Sequence, residues 1–400
     1  MNGPAHLNVL QVIGNLDIGG AQEVVVTLSK YLADGGHRPV VCSFRDGPLR
    51  ADIEALGVPV VIVSGRQGSV LTVHRVVRET LRIRRTLAQL VRRHEIDIIQ
   101  THLLRSLDFL VASLPRRNGR PLVYWTFHNY NFTLRRDHLS SHRWLLRPKQ
   151  LAYRWLYRWL STRVSGLIAV SEEVRRSIRN EIGTVDERIV VIANGVDVAR
   201  YGESVDTATL RAELDLRADD FVMVMVGTFK RQKGHIHLIE AASRLPESHV
   251  GVRILLVGDG ELRSDMEARA RHEGLDGMLR FLGSRRDIPR LLTASDCFVL
   301  PSLWEGLPIA LLEAMASGLP CIATDVSGTK QVVVSDVTGT LIPPGDSHAL
   351  VKAMEQMVAD PPRAREMGEA GKRRVESLFS ARKQTDDHVR RFRSDLRSAQ

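Results

Sequence analysis

The residues of this 400-residue chain best suited to chemistry are Glu305 and Glu313, with seven residues between them, and Lys233 in a glycine-flanked basic loop. The run Pro301-Ser302-Leu303-Trp304-Glu305-Gly306-Leu307-Pro308-Ile309-Ala310-Leu311-Leu312-Glu313-Ala314-Met315-Ala316-Ser317-Gly318-Leu319-Pro320 directly follows an apolar segment. Pro308 suits a first helical turn, Ile309, Leu312 and Ala316 recur on one face, and Gly318 with Pro320 supplies a stop. A loop carrying Glu305 therefore enters a short helix carrying Glu313. The start of a helix offers unpaired N–H groups and partial positive charge, a natural seat for a pyrophosphate, and Gly306 lets backbone approach it closely. Glu313 sits about five residues into that helix, roughly 7 to 8 Å along its axis. Its neighbours are small or apolar, so its carboxylate needs a partner; paired ribose hydroxyls suit it, because a carboxylate accepts two hydrogen bonds. Glu305, ahead of the helix, is placed for the hydroxyls of a sugar. On spacing alone, a solvated loop glutamate and an outward-facing helix glutamate fit equally well.

The run Val226-Gly227-Thr228-Phe229-Lys230-Arg231-Gln232-Lys233-Gly234 reads as a strand opening into a cationic loop. Lys233 can neutralise a departing diphosphate, whose charge grows as its bond breaks, so that the stabilisation is larger in the transition state. A plain basic turn is the competing reading. Leu256-Val257-Gly258-Asp259-Gly260 is a further strand-to-loop element, but GxG alone is not the dinucleotide fingerprint. Asp17-Ile18-Gly19-Gly20-Ala21-Gln22 lies between the first strand and the first helix, where open α/β sheets bind ligands. Gly20 can approach phosphates there and Gln22 can face an acceptor, unless the segment is only a turn and a helix start. His128 follows another strand end and can hydrogen-bond a sugar; His102, after Asp97 to Thr101, is a weaker candidate for the acceptor. Lone histidines in such places are more often structural.

The elements that must position these residues alternate between short apolar runs and helical patterns. Asn8 to Ile13, a helix from about Ala21 to Asp34, and Pro39 to Phe44 set a βαβ rhythm. It continues through Pro59 to Val63, an Arg-rich helix from about Val73 to His94, Asp97 to Thr101, Leu122 to Phe127, Gly166 to Val170 and Ile189 to Ile192. After a polar stretch it restarts with Phe221 to Val226, Val252 to Val257, Leu279 to Leu282, Cys297 to Leu300 and Pro320 to Thr324. The fold class is α/β, with two doubly wound, mostly parallel sheets. Residues 1–200 form the first domain, 201–375 the second, and 376–400 a charged helix that packs back on the first.

Length alone favours two domains, and 44% hydrophobic with 26% charged residues is globular composition. No stretch approaches the roughly 18 to 20 apolar residues of a membrane span, and the N-terminus leads straight into a strand without the pattern of a secretory signal. A cytoplasmic protein is expected, or one peripheral to the inner face of a membrane. Cys42, Cys297 and Cys321 are widely spaced in apolar surroundings and are assigned no chemistry. No Asp-x-Asp motif or cluster with metal-ligand spacing stands out, and His235-x-His237 does not share a helix face. No cofactor is expected.

In this order, Gly19-Gly20-Ala21-Gln22, Asn194-Gly195-Val196-Asp197, Lys233-Gly234 and Glu305-x7-Glu313 with Ala314 to Pro320 resemble the retaining GT-B glycosyltransferases of family four, over nearly the whole chain. The resemblance implies two facing Rossmann-like domains, the second binding a nucleotide-sugar donor and the first an acceptor. It implies that Lys233 binds phosphate, Glu305 touches the donor sugar, Glu313 binds ribose, Gly20 lies near the phosphates, the backbone at Leu282 contacts the base, and His128 lies near the sugar. Gly306, Leu307 and Arg231 join the donor-binding set. UDP is the favoured nucleotide on family frequency. The resemblance further implies retention by front-face attack, the leaving phosphate helping to deprotonate the acceptor, without a metal. The family often carries a basic residue where Thr228 stands; Lys230 or Arg231 can replace it, or Lys233 works with fewer helpers.

The net charge of +10 is concentrated: residues 70–165 hold 19 Lys plus Arg against 5 Asp plus Glu, so this segment carries +14 and the remainder −4. From Pro148, Ala152, Trp155, Leu156, Trp159 and Leu160 fall on one helix face while Lys149, Arg154 and Arg158 lie elsewhere. Basic helices bearing Trp suit membrane interfaces, so an anionic membrane surface meeting residues 73–94 and 143–163, with a lipid-linked acceptor, is expected. An ordinary helix packed on its own sheet is the alternative. No nucleic-acid motif is present. A nucleotide-sugar epimerase, which needs no acceptor, and a non-catalytic partner subunit remain competing readings.

Overall fold

The computed structural model of the chain describes residues 6–63, 73–102, 108–115, 119–129, 146–201, 206–246 and 251–398. Its strands form two parallel sheets. The first contains β1 (Asn8–Ile13), β2 (Arg38–Ser43), β3 (Val60–Ile62), β4 (Ile98–His102), β5 (Leu122–Phe127), β6 (Gly166–Ala169) and β7 (Ile189–Val191), in the order β3-β2-β1-β4-β5-β6-β7. The second contains β8 (Phe221–Val226), β9 (Val252–Val257), β10 (Leu279–Gly283), β11 (Cys297–Leu300), β12 (Cys321–Thr324) and β13 (Gly339–Ile342), in the order β10-β9-β8-β11-β12-β13. Both are doubly wound: strand order reverses at β1/β4 in one and at β8/β11 in the other. Open α/β sheets bind ligands beyond the strand C-termini at such a reversal.

The near-continuous apolar composition of the central strands follows from helices covering both faces. All six residues of β1 are buried, as are Cys297 to Leu300. The second unit gathers Met223, Met225, Leu238, Ile254, Leu256, Val299 and Ile322 into its core. Its helix Ile309–Ala316 buries Leu311, Leu312, Ala314, Met315 and Ala316. The helix Pro361–Leu378 comes close because it carries glycine there: a Cβ on Gly368 would lie 2.0 Å from the Gly318 carbonyl oxygen.

The two compact units are Met1–Asn194 with Ala381–Gln400, and Gly195–Ser380. These divisions differ from the expected 200/201 and 375/376. Val196 donates its N–H to the Phe379 carbonyl at 2.9 Å, which ties the start of one linker to the end of the other within the second unit. The final helix, Ala381–Ser398, belongs to the first unit, where Val389, Phe392 and Leu396 join Leu7, Leu28, Ile98 and Tyr124. The Tyr124 hydroxyl donates to Asp395 at 2.6 Å.

The side chains of residues 146–150, Lys149 among them, lie outside the described set, as do residues 143–145. In the helix Leu146–Ser161, Tyr157 and Leu160 are buried. Ala152 and Leu156 are exposed, as are Leu151, Trp155 and Trp159 at 67%, 69% and 43%. Leu160 thus departs from the expected apolar face, which otherwise points outward. No described helix is long and apolar enough to cross a membrane.

Candidate functional site

The site in the second unit is built by the two loops that leave β8 and β11, on either side of the strand-order reversal. The β8 loop ends in a short 3-10 turn, Arg231–Lys233, closed by Gly234 at φ +69°. Only glycine fits there: a Cβ would stand 2.1 Å from the Pro301 carbonyl oxygen at the exit of β11. This close approach lets the loops bond to each other. Leu303 donates its N–H to the Gln232 carbonyl at 2.8 Å, and the Gln232 amide donates to the Trp304 carbonyl at 2.9 Å.

The result is a short contact between Lys233 Nζ and Glu305 Oε1, 2.5 Å. The lysine stem lies along Gly227, whose absent side chain leaves room for it. Glu305 is 4% exposed and also accepts from Ser302 Oγ at 2.7 Å and from Gln232 Nε2 at 3.5 Å. Burying a carboxylate is tolerable only with such partners. Beneath the loop, His235 stacks on Phe229 with ring centroids 4.0 Å apart. Burial, aided by the Lys233 charge, pushes its pKa down to about 3, so it packs as a neutral ring.

Beyond Glu305 the chain turns through buried Gly306, Leu307 and Pro308 into the helix Ile309–Ala316. Gly328 packs beneath this turn; a Cβ on it would meet the Gly306 carbonyl oxygen at 2.4 Å. Leu307, 3% exposed, has its side chain in the core, so any ligand contact it makes is through backbone. Glu313 is half-buried and accepts a hydrogen bond from the Tyr201 hydroxyl at 2.7 Å. Thr228, Lys230 and Arg231 are exposed on the β8 loop, and Leu282 lies near the C-terminal end of β10, on the same edge of the parallel sheet. Lys233, Glu305, Gly306 and the helix of Glu313 are thus brought together, with Arg231 on the loop surface and Leu282 two strands from β8.

In the first unit Gly20 opens the helix Gly20–Asp34 and is exposed. Gln22 donates to Asn15 Oδ1 at 2.6 Å, so its amide braces the preceding loop. His102 is a correction to the expected acceptor contact. It is fully buried, and both ring nitrogens are engaged, Nδ1 with His128 Nε2 at 2.9 Å and Nε2 with Gln11 Oε1 at 2.6 Å. It supports His128 from behind. His128, 9% exposed at the end of β5, is lowered to about pKa 4 by burial and then by His388.

Tyr201, Ser302 and Gln232 were missed from sequence. Ser302 and Gln232 sit beside predicted residues and could have been found as their nearest polar neighbours, but nothing in the spacing links Tyr201 to Glu313, 112 positions away. The three cysteines are buried thiols, Cys42 raised to about 12, which fits their lack of chemistry. Among the described residues no group of three or more His, Cys, Asp or Glu could hold a metal ion.

The arrangement can hold an anion at the ammonium group and helix start, and hydroxyls at two carboxylates. Residues 206–374 match the family described as Glycosyl transferases group 1, and residues 18–200 that described as Glycosyltransferase Family 4. The chain is 33% identical over 279 residues to the UDP-Gal:alpha-D-GlcNAc-diphosphoundecaprenol alpha-1,3-galactosyltransferase of Escherichia coli, covering 69% of this chain and 70% of that protein. It is 35% identical over 201 residues to the lipopolysaccharide core biosynthesis glycosyltransferase LpsE of Rhizobium meliloti, covering 50% and 56%. In structure it matches Anabaena HepE, crystallised with UDP and glucose, at a TM-score of 0.80 and 24% identity over 97% of this chain and 100% of that one, which shows a shared fold of two Rossmann-like domains.

Proposed function

This chain belongs to the glycosyl transferases of group 1 and family 4, and from that premise we propose that it moves a hexose from a UDP-hexose to an acceptor hydroxyl with retention of configuration. The observation that carries the reading is the Lys233–Glu305 pair at the strand-order reversal of the second sheet, directly ahead of the helix of Glu313. Lys233 and the helix start meet the diphosphate, Glu305 the sugar hydroxyls and Glu313, held by Tyr201, the ribose. As the glycosidic bond lengthens, negative charge builds on the leaving phosphate and Lys233 stabilises it increasingly. That charge is met by protein groups, and the proposal assigns no metal to the step. The same phosphate takes the acceptor proton on the face it leaves, which keeps the anomeric configuration. Gly20 is assigned to the phosphates, Gln22 to the loop facing the acceptor, and His128 to a hydroxyl of the donor sugar.

The test is a panel of UDP-, GDP- and ADP-hexoses followed by calorimetry and by NMR of the transferred anomer. UDP-hexose binding with an unchanged anomer supports the reading; inversion, or preference for another base, removes its finer part.

The acceptor proposed is a lipid-linked saccharide, met at an anionic membrane surface. The E. coli relative is named for a diphosphoundecaprenol-linked acceptor. In this chain Leu151, Trp155 and Trp159 stand outward on a helix that also exposes Arg154 and Arg158, within a segment of charge +14. Apolar anchors with surrounding cations fit the interface of an anionic bilayer. Flotation with anionic and neutral liposomes decides it: no preference for anionic vesicles, or unchanged binding in Trp155→Ala/Trp159→Ala, sinks the idea.

A further inference from the structure

The middle of the first sheet contains polar residues that the donor chemistry does not use. Gln11 on β1, Gln100 and His102 on β4, and His388 from the final helix are all buried to 1% exposure or less. Parallel strands covered on both faces are ordinarily apolar, and a buried amide or imidazole is costly unless every hydrogen bond is made. Here they are made in one continuous line. His388 Nδ1 lies 2.8 Å from the Gln384 carbonyl oxygen and its Nε2 3.0 Å from Gln100 Nε2. Gln100 also donates to Thr126 Oγ1 at 2.8 Å and accepts from Gln11 Nε2 at 3.3 Å. Gln11 Oε1 meets His102 Nε2, and His102 Nδ1 meets His128 Nε2.

One end of this line has only one polarity. A backbone carbonyl accepts and never donates, so His388 carries its proton on Nδ1 and presents a bare Nε2. The Gln100 amide must then turn its NH2 group toward His388 and Thr126 and its oxygen toward Gln11. Gln11 must turn its NH2 toward Gln100 and its oxygen toward His102. His102 therefore holds its proton on Nε2 and leaves Nδ1 bare, and His128 must donate from Nε2. Burial lowers the pKa of all three histidines, which keeps each ring to a single proton near neutrality.

We propose that Gln384 O, His388, Gln100, Gln11 and His102 form a positioning relay that fixes His128 in its Nε2-protonated form, so that Nδ1 can only accept a hydrogen bond, from a hydroxyl of the sugar. The ligand half of this rests on the donor reading above; the relay half does not. The consequence is specificity for a group that donates: a hydroxyl satisfies Nδ1, whereas a carboxylate or a methyl ether at that place leaves it facing a second acceptor. The helix at the end of the chain thereby sets the polarity of a residue at the end of β5.

Full-length protein labelled with 15N in its histidine rings tests this through two-bond proton–nitrogen correlation at pH 7.5, with assignments from single histidine-to-glutamine variants. The relay expects the proton on Nδ1 of His388 and on Nε2 of His102 and His128; a proton on Nδ1 of His128 overturns it. In His388→Phe, and separately in Gln100→Met, the His128 nitrogens should move toward the averaged positions of mixed tautomers. An unchanged His128 in both variants overturns the relay even though the wild-type pattern agrees. Adding UDP-glucose or UDP-galactose should shift His128 Nδ1 while UDP alone does not, and UDP-glucuronate should bind at least tenfold more weakly than the neutral hexose it would otherwise match. A UDP-hexose that binds without moving Nδ1 overturns the ligand half and leaves the donor reading standing. Failure of every nucleotide sugar to bind takes down the donor reading and the ligand half together, with the free-protein spectrum still deciding the relay.

Discussion

Lys233 Nζ stands 2.5 Å from Glu305 Oε1, although 72 positions separate the two residues, and the carboxylate is almost wholly buried. Removing one member of a buried ion pair leaves the other charge uncompensated, at a cost of about 3 to 5 kcal/mol. Lys233→Met should therefore lose about 3 kcal/mol of stability, the low end, because Ser302 still donates to Glu305. Adding Glu305→Gln should restore most of that loss without restoring turnover, since transition-state charge stabilisation of the order of 100-fold is gone. Urea unfolding and a donor-hydrolysis assay on both variants separate the roles. A single variant as stable as wild type would mean the pair is not a buried ion pair in solution.

Gly234 joins the β8 loop to the exit of β11. Gly234→Ala places a Cβ 2.1 Å from the Pro301 carbonyl oxygen at φ +69°, so the loops must part. The left-handed backbone alone costs about 1 to 2 kcal/mol. Gly274→Ala is the control: it shares φ +69° but meets nothing within 4 Å. Both should lower the unfolding midpoint, but only Gly234→Ala should lose turnover, by about 100-fold, as expected for a catalytic group displaced by roughly 1 Å. Equal activity in the two variants would dissociate the loop junction from catalysis.

Tyr201 donates to Glu313 at 2.7 Å and so helps to orient its carboxylate on the helix. A hydrogen bond to a charged group is worth about 1.5 to 3 kcal/mol. Tyr201→Phe should weaken UDP binding about tenfold by calorimetry, with kcat changed far less than KM, because ribose contacts are the same in ground and transition states. An unchanged UDP affinity would sever Glu313 from the nucleotide.

Much of this was legible because local pattern and chemistry coincide. The apolar runs at Phe221 to Val226 and Cys297 to Leu300 are strands since both faces are covered, and Pro308 with Gly318 brackets the helix of Glu313 to within a residue or two. Lys233 and Glu305 could be named separately. Their pairing could not, because it depends on the order in which parallel strands assemble, and β8 and β11 are neighbours only through the crossover. His102 was misplaced for a related reason: a histidine at a strand end reads alike whether it faces a ligand or, as here, a glutamine from the neighbouring strand. The polar line through the first sheet was invisible, since Gln11, Gln100 and His388 come from three distant segments.

Acid should weaken the first unit through those same residues. His128 and His388 are lowered from the ordinary 6.5 to about 4, chiefly by burial, and His102 is lowered well below 6.5 for the same reason. Between pH 6.5 and about 4 the unfolded chain binds protons that the folded chain refuses, so stability rises with pH across this window. The contribution is complete above about 6.5 and lost as pH falls toward 4. His235, lowered to about 3 in the second unit, has the same sign. Asp108 opposes them: burial raises its carboxyl from 3.8 to about 7, so the folded state keeps a proton the unfolded state releases, and its contribution fades as pH rises through that range. His37 is lowered too, chiefly by burial, so four histidines against one raised carboxyl leave the first unit weaker in acid. Calorimetric unfolding at pH 7.5, 6.5, 5.5 and 4.5 should show a falling midpoint, shallower in His388→Phe and steeper in Asp108→Asn. In Asp108→Asn, where the opposing carboxyl is gone, a midpoint that holds or climbs from pH 6.5 to 5 would count against neutral buried imidazoles in the folded protein, and the fixed polarity of the line from Gln384 to His128 would go with it.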